Sequence, residues 1–124
     1  GPFYLDQELH RPDPLQDDIA LYMQTSQGVC VVVGCCHAGL TNTLNEISRI
    51  TGLDQIHTIL GGLHLHDSSE AQLQAAAAAL AQYRVQRLVC CHCTGVNAIA
   101  YLQSHCACEV IEGYAGLQLV MQRV

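Results

Sequence analysis

The chain has no lysine and no tryptophan, and one phenylalanine among its 124 residues. Its five basic residues are all arginines, set against eleven acidic ones, for a formal charge of −6. No basic patch can be assembled from them, so nucleic-acid binding has no electrostatic basis. No apolar run approaches the length that spans a bilayer, so a membrane-embedded role is not expected. Neither an initiator methionine nor a signal-peptide pattern is present, and a cytoplasmic location is the expectation. All three prolines, Pro2, Pro12 and Pro14, fall near the start, which leaves the remainder free to form regular structure.

What is abundant is cysteine, with eight residues, in a chain that is 50% hydrophobic and 13% charged. A secreted disulfide scaffold is the first thought, and the cysteine positions argue against it. Cys30, Cys90 and Cys91 lie within or at the end of apolar strand-like runs, where a free thiol serves as a small hydrophobe. A chain of this length also buries enough surface to fold without staples. Reduced thiols in a reducing compartment follow. The spacings Cys91-x-Cys93 and Cys106-x-Cys108 do not make the two C-x-x-C pairs of a zinc ribbon. A thiol-redox role for Cys35-Cys36 or Cys91-x-Cys93 lacks a thioredoxin-like context.

Residues 1–18 are polar and read as an irregular leading segment, with residues 19–124 as one α/β unit. Ile19–Thr25 and Val29–Gly34 flank Ser26-Gln27-Gly28, a hairpin signal. Thr41–Thr51 places Leu44, Ile47 and Ile50 on one helical side, with Thr43-x-x-Glu46 as a capping box and Gly52 as the stop. A strand at Ile56–Leu60 follows, then a helix opened by Asp67-Ser68-Ser69-Glu70 and running through Tyr83 on an alanine-rich centre. Val85–Cys91 is the next strand, with Thr94 as N-cap of a helix ending near His105. Cys108–Ile111 and Ala115–Val120 complete a β-β-α-β-α-β-α-β-β order, an α/β fold with a mixed sheet and helices mainly on one face.

Three histidine loops recur in this order. Val29–Gly34 runs into Cys35-Cys36-His37, Ile56–Leu60 into Gly61-Gly62-Leu63-His64, and Val85–Cys91 into His92-Cys93-Thr94. If the strands are parallel neighbours, their carboxyl ends share an edge, which is where open α/β sheets bind ligands. Neutral imidazole is the commonest metal ligand. His37 and His92 are therefore the candidate metal ligands. His64, Cys35, Asp18, Cys93 and Thr94 are further candidates for metal or substrate binding, and His64 is favoured over His66 because it is nearer its strand end. One loop histidine alone is more often satisfied by backbone; three in equivalent positions favour a site. His10, His57 and His105 read as structural, and Asp17-Asp18 more often marks a solvated turn than a substrate contact.

These strings in sequence resemble the metallo-β-lactamase-fold metallo-hydrolases. They are Asp17-Asp18-x-Ala20-Leu21, Gly34-Cys35-x-His37-Ala38-Gly39, Gly61-Gly62-x-His64-Leu65 and His92-Cys93-Thr94-Gly95. The branch they are most similar to is that of dihydropterin–ribofuranosylaminobenzene phosphate synthase. The resemblance implies an αββα sandwich with metal, expected to be zinc, at the sheet edges. It implies His37 and His92 as late ligands. The family's H-x-H-x-D-H string, which belongs to the N-terminal half, does not occur in these residues, so the chain corresponds to the C-terminal half of such a domain. Cys36 stands where serine is common in the branch, and Cys91 where proline often precedes the final histidine.

The implied function is a portion of a metal-dependent hydrolase acting on a small molecule, with the isolated chain inactive. The alternative is a non-catalytic metal-binding or interaction module completed by another chain. Either way a missing N-terminal half, or self-association, is the expected partner.

Overall fold

A computed structural model describes residues 3–124. The elements are β1 (Ala20–Thr25), β2 (Gly28–Val33), α1 (Leu40–Thr51), β3 (Ile56–Gly61), α2 (Glu70–Gln82), β4 (Arg87–Cys90), α3 (Val96–His105) and β5 (Glu109–Glu112). A single 3-10 turn at His92–Thr94 joins β4 to α3. The strands form one mixed sheet in the order β1-β2-β3-β4-β5. The first pair is an antiparallel hairpin, and the other three pairs are parallel.

This order has a direct consequence. Each parallel crossover steps one strand further in the same direction, and such crossovers are right-handed. All three helices must then lie on one face. The core bears this out: Val31, Ile59 and Leu88 from the sheet pack with Leu44 and Ile47 of α1, Leu80 of α2 and Leu102 of α3.

Helix ends follow local chemistry, with two corrections. Ser69 caps α2 in a reciprocal capping box with Gln72, and Gly52 ends α1 in the left-handed conformation. The box expected at Thr43-x-x-Glu46 does not form, because α1 starts earlier, with Gly39 at its N-cap. Glu46 instead pairs with Arg49 one turn on, at 2.7 Å. Nor is Thr94 a cap; Gly95 precedes α3, and the Thr94 hydroxyl is engaged elsewhere.

The sixth strand expected at Ala115–Val120 is also absent among the described residues. The tail meets the sheet at a Gly113 N–H bond to the Cys90 carbonyl and at an isolated bridge between Thr25 and Arg123. It crosses the helix-free face instead, enclosing a groove of about 500 Å³ between Leu60, Val89 and its own Tyr114, Leu117 and Leu119. No helix among the described residues is long and apolar enough to cross a membrane.

Candidate metal centre

Because β2, β3 and β4 are parallel neighbours, their carboxyl ends lie along one edge. The loops that follow are stitched together by backbone. Gly62 N–H donates to the Gly34 carbonyl at 3.0 Å, Cys91 N–H to Gly61 at 3.0 Å, and His66 N–H to Cys93 at 3.2 Å. Thr94 completes the weave from a fully buried position. Its hydroxyl accepts from Leu63 N–H at 3.1 Å and donates to the Cys91 carbonyl at 3.0 Å. Thr94 thus ties two loops together, and its oxygen is already engaged by protein.

Each loop also carries one non-glycine residue in the left-handed region: Cys36 at φ 57°, His64 at 52° and His92 at 54°. Such conformations cost about 1–3 kcal/mol each and cluster at functional sites. Close approach is the reason glycine occupies position 62. A Cβ there would lie 2.8 Å from both the Cys93 Sγ and the Gly34 carbonyl oxygen.

The side chains converge in two triads. Cys35, His37 and His64 place one ligand atom each within 4.8 Å of one another, and so do Cys35, His92 and Cys93. Cys35 belongs to both. Its Sγ lies 3.3 Å from His64 Nδ1 and donates to Cys93 Sγ at 2.8 Å. Cys93 Sγ in turn accepts from His64 N–H at 3.1 Å. His37 and His92 therefore flank a common thiol, with β3 between their parent strands. The His37 and His64 rings meet edge to face at 4.9 Å, and Phe3 covers His37 from the leading segment at 5.3 Å.

Asp18 enters from the amino end of the antiparallel β1, which lies at this same edge. Its Oδ2 accepts from Ala38 N–H at 2.9 Å, so it braces the His37 loop rather than joining either triad. His66 is exposed and pairs with Asp67 at 2.9 Å, outside both triads. His10, His57 and His105 are likewise outside them; the His57 ring contacts the Thr58 hydroxyl, and His105 stacks on Tyr101.

The electrostatics suit neutral ligands. Burial, with His37 and His66 nearby, lowers the pKa of His64 below its ordinary value. Burial and the adjoining Cys93 push Cys35 up to about 12, so without a cation it remains a thiol. A divalent ion reverses that preference, since a coordinating thiol is deprotonated outright. Two sets of three nitrogen and sulfur donors suit a borderline-soft divalent metal, and catalytic zinc sites use about three protein ligands.

The sequence marks Cys35 as one candidate among several, and only the pairing of β2, β3 and β4 puts it in both triads. The Gly61-Gly62 pair is the visible sequence signal of the close backbone approach at Gly62. Cys90 and Cys93 stand at C-x-x-C spacing, but Cys90 is fully buried and faces the core.

No family model matches the chain. Over 86 residues it is 30% identical to 7,8-dihydropterin-6-methyl-4-(beta-D-ribofuranosyl)-aminobenzene-5'-phosphate synthase of Methanocaldococcus jannaschii, a match covering 69% of this chain and 29% of that protein. In structure it is similar to a metal-dependent hydrolase of the beta-lactamase superfamily known from its crystal structure. The TM-score is 0.78 and the identity 32%, over 82% of this chain and 39% of that one. The chain thus spans about a third of the length of these relatives.

Proposed function

Because this chain belongs to the metallo-β-lactamase-fold superfamily, we propose that it is the ligand-bearing C-terminal portion of a metal-dependent hydrolase or a related transferase. The observation that carries this reading is the pair of Cys/His triads sharing Cys35 at the carboxyl edge of the sheet. His37 and His64 would hold an ion on one side, and His92 and Cys93 on the other. A divalent ion, zinc by donor type, would supply Lewis-acid polarisation and acidify water at neutral pH. The chain's own contribution is to hold the donors in place through the Thr94 and Gly62 contacts and to brace the His37 loop through Asp18.

A small-molecule substrate and catalysis by the completed domain belong to this proposal, as does inactivity of the chain alone. The helix-free face carries the second part of it. Leu21 and Met23 of β1 are exposed there, 63% and 49%, beside half-buried Val32. Apolar surface of this kind suits a partner. A second sheet, from an N-terminal half or another copy of the chain, would cover it.

Isothermal titration of zinc into the reduced chain tests the metal centre. His37→Ala and His92→Ala should each weaken binding by about tenfold or more, while His10→Ala and His105→Ala leave it unchanged. Equal affinity in all of them would leave the fold as a record of ancestry without its chemistry.

A further inference from the structure

The loops that gather the histidines also bring two cysteines together across the site. Cys35, after β2, and Cys93, in the turn after β4, are 58 positions apart in the chain, yet their sulfurs are 2.8 Å apart. Both are free thiols and only half-buried. Cys35 lines a shallow pocket of about 260 Å³ with Asp18, Gly34 and His37, so a small reagent has access to it. Cys93 is aimed at Cys35 by two contacts. It accepts from His64 N–H at 3.1 Å, and the missing Cβ of Gly62 leaves the space its sulfur occupies. Elsewhere Cys30, Cys36 and Cys90 are buried, and Cys36 turns away to the Thr43 hydroxyl.

We propose that Cys35 and Cys93 form a reversible disulfide that shuts the metal centre, made by exchange with a small-molecule disulfide of the glutathione class. In the first step the deprotonated fraction of Cys35, kept small by burial and Cys93, attacks one sulfur of that disulfide, its proton having gone to solvent. A mixed disulfide forms at Cys35 and one small thiol leaves. In the second, the Cys93 sulfur, its proton likewise released, attacks the Cys35 sulfur and expels the other small thiol. Two protein thiols are oxidised, and one small disulfide is reduced to two thiols. Closing 2.8 Å to a bond of about 2 Å needs a shift of less than an ångström. Because Cys35 belongs to both triads, its oxidation removes a ligand from each. The bond stands on the geometry of the two thiols; only its effect on metal rests on the function proposed above.

The test uses the reduced, chelator-treated chain with oxidised glutathione, followed by alkylation and peptide mapping by mass. The expected result is two of the eight cysteines lost to alkylation, joined as a Cys35–Cys93 peptide pair and restored by dithiothreitol. Cys35→Ser and Cys93→Ser should each abolish that pair. Eight alkylated thiols, a Cys106–Cys108 link in its place, or a lasting glutathione adduct at Cys35 would overturn the proposal. Zinc titration before and after oxidation reads the closure, with affinity falling about tenfold or more. Equal affinity in the two forms would overturn the closure. A reduced chain that binds no zinc would sink the metal reading, while the mapped bond would still decide the disulfide.

Discussion

The two faces of the sheet are built from similar residues and meet opposite surroundings. On one face Val31, Ile59 and Leu88 are wholly buried under three helices. On the other, the cross-strand row Leu21, Val32, Leu60, Val89 and Ile111 is exposed at Leu21, fully covered at Val89 and half-buried at the other three positions. The tail from Gly113 onward covers the β4 end of that row, and nothing among the described residues covers Leu21. The difference lies in connectivity rather than hydrophobicity. Right-handed crossovers stepping in one direction commit every helix to one side, and the second face is left to the tail and to whatever else packs there. The candidate metal centre belongs to neither face. It sits on the edge, where loop geometry rather than layer packing places the donors.

The largest effect is expected from the helix-covered face. Leu88→Ala should cost about 2–5 kcal/mol, because a packed core cannot fully close over the lost atoms. Urea unfolding of Leu88→Ala beside Met23→Ala measures the contrast. Similar costs at the two positions would break the comparison.

A second expectation separates folding from association. Leu21→Glu should leave the unfolding free energy within about 0.5 kcal/mol, as for most surface changes. It should abolish self-association in sedimentation at high concentration, or docking of a supplied N-terminal half. Association unaffected by Leu21→Glu would remove the helix-free face as an interface.

The smallest effect belongs to the edge, and its sign follows from His64. Its pKa is lowered in the folded chain by burial and by His37 and His66. The unfolded chain therefore binds this proton more readily. The stability this group contributes is intact above its ordinary value of about 6.5 and is lost as pH falls through that value toward the lower folded one. His64→Gln should flatten the fall in melting temperature of the metal-free chain between roughly pH 7 and 5. An unchanged slope would show that the histidine cluster carries no such strain.

Much of the fold was legible because its signals are local. The Ser26-Gln27 turn, the Gly52 stop and the Ser69 cap each act within a few residues. Misreadings arose where a longer-range partner decided the outcome. Thr94 has the chemistry of an N-cap, but Leu63 N–H from the neighbouring loop claims its hydroxyl. Ala115–Val120 has strand-like composition, but the groove over Leu60 and Val89 holds part of it as an apolar cover instead of a paired strand.

By itself the sequence determined the alternation of strands and helices, the three histidine loops and their likeness to a known family. Those follow from periodicity, turn chemistry and short strings, all of which are local. Tertiary structure alone decided that Cys35 stands between His37 and His92 and that Thr94 holds loops together. Parallel pairing of β2, β3 and β4 brings loops distant in sequence onto one edge, and no spacing along the chain records which of their side chains meet.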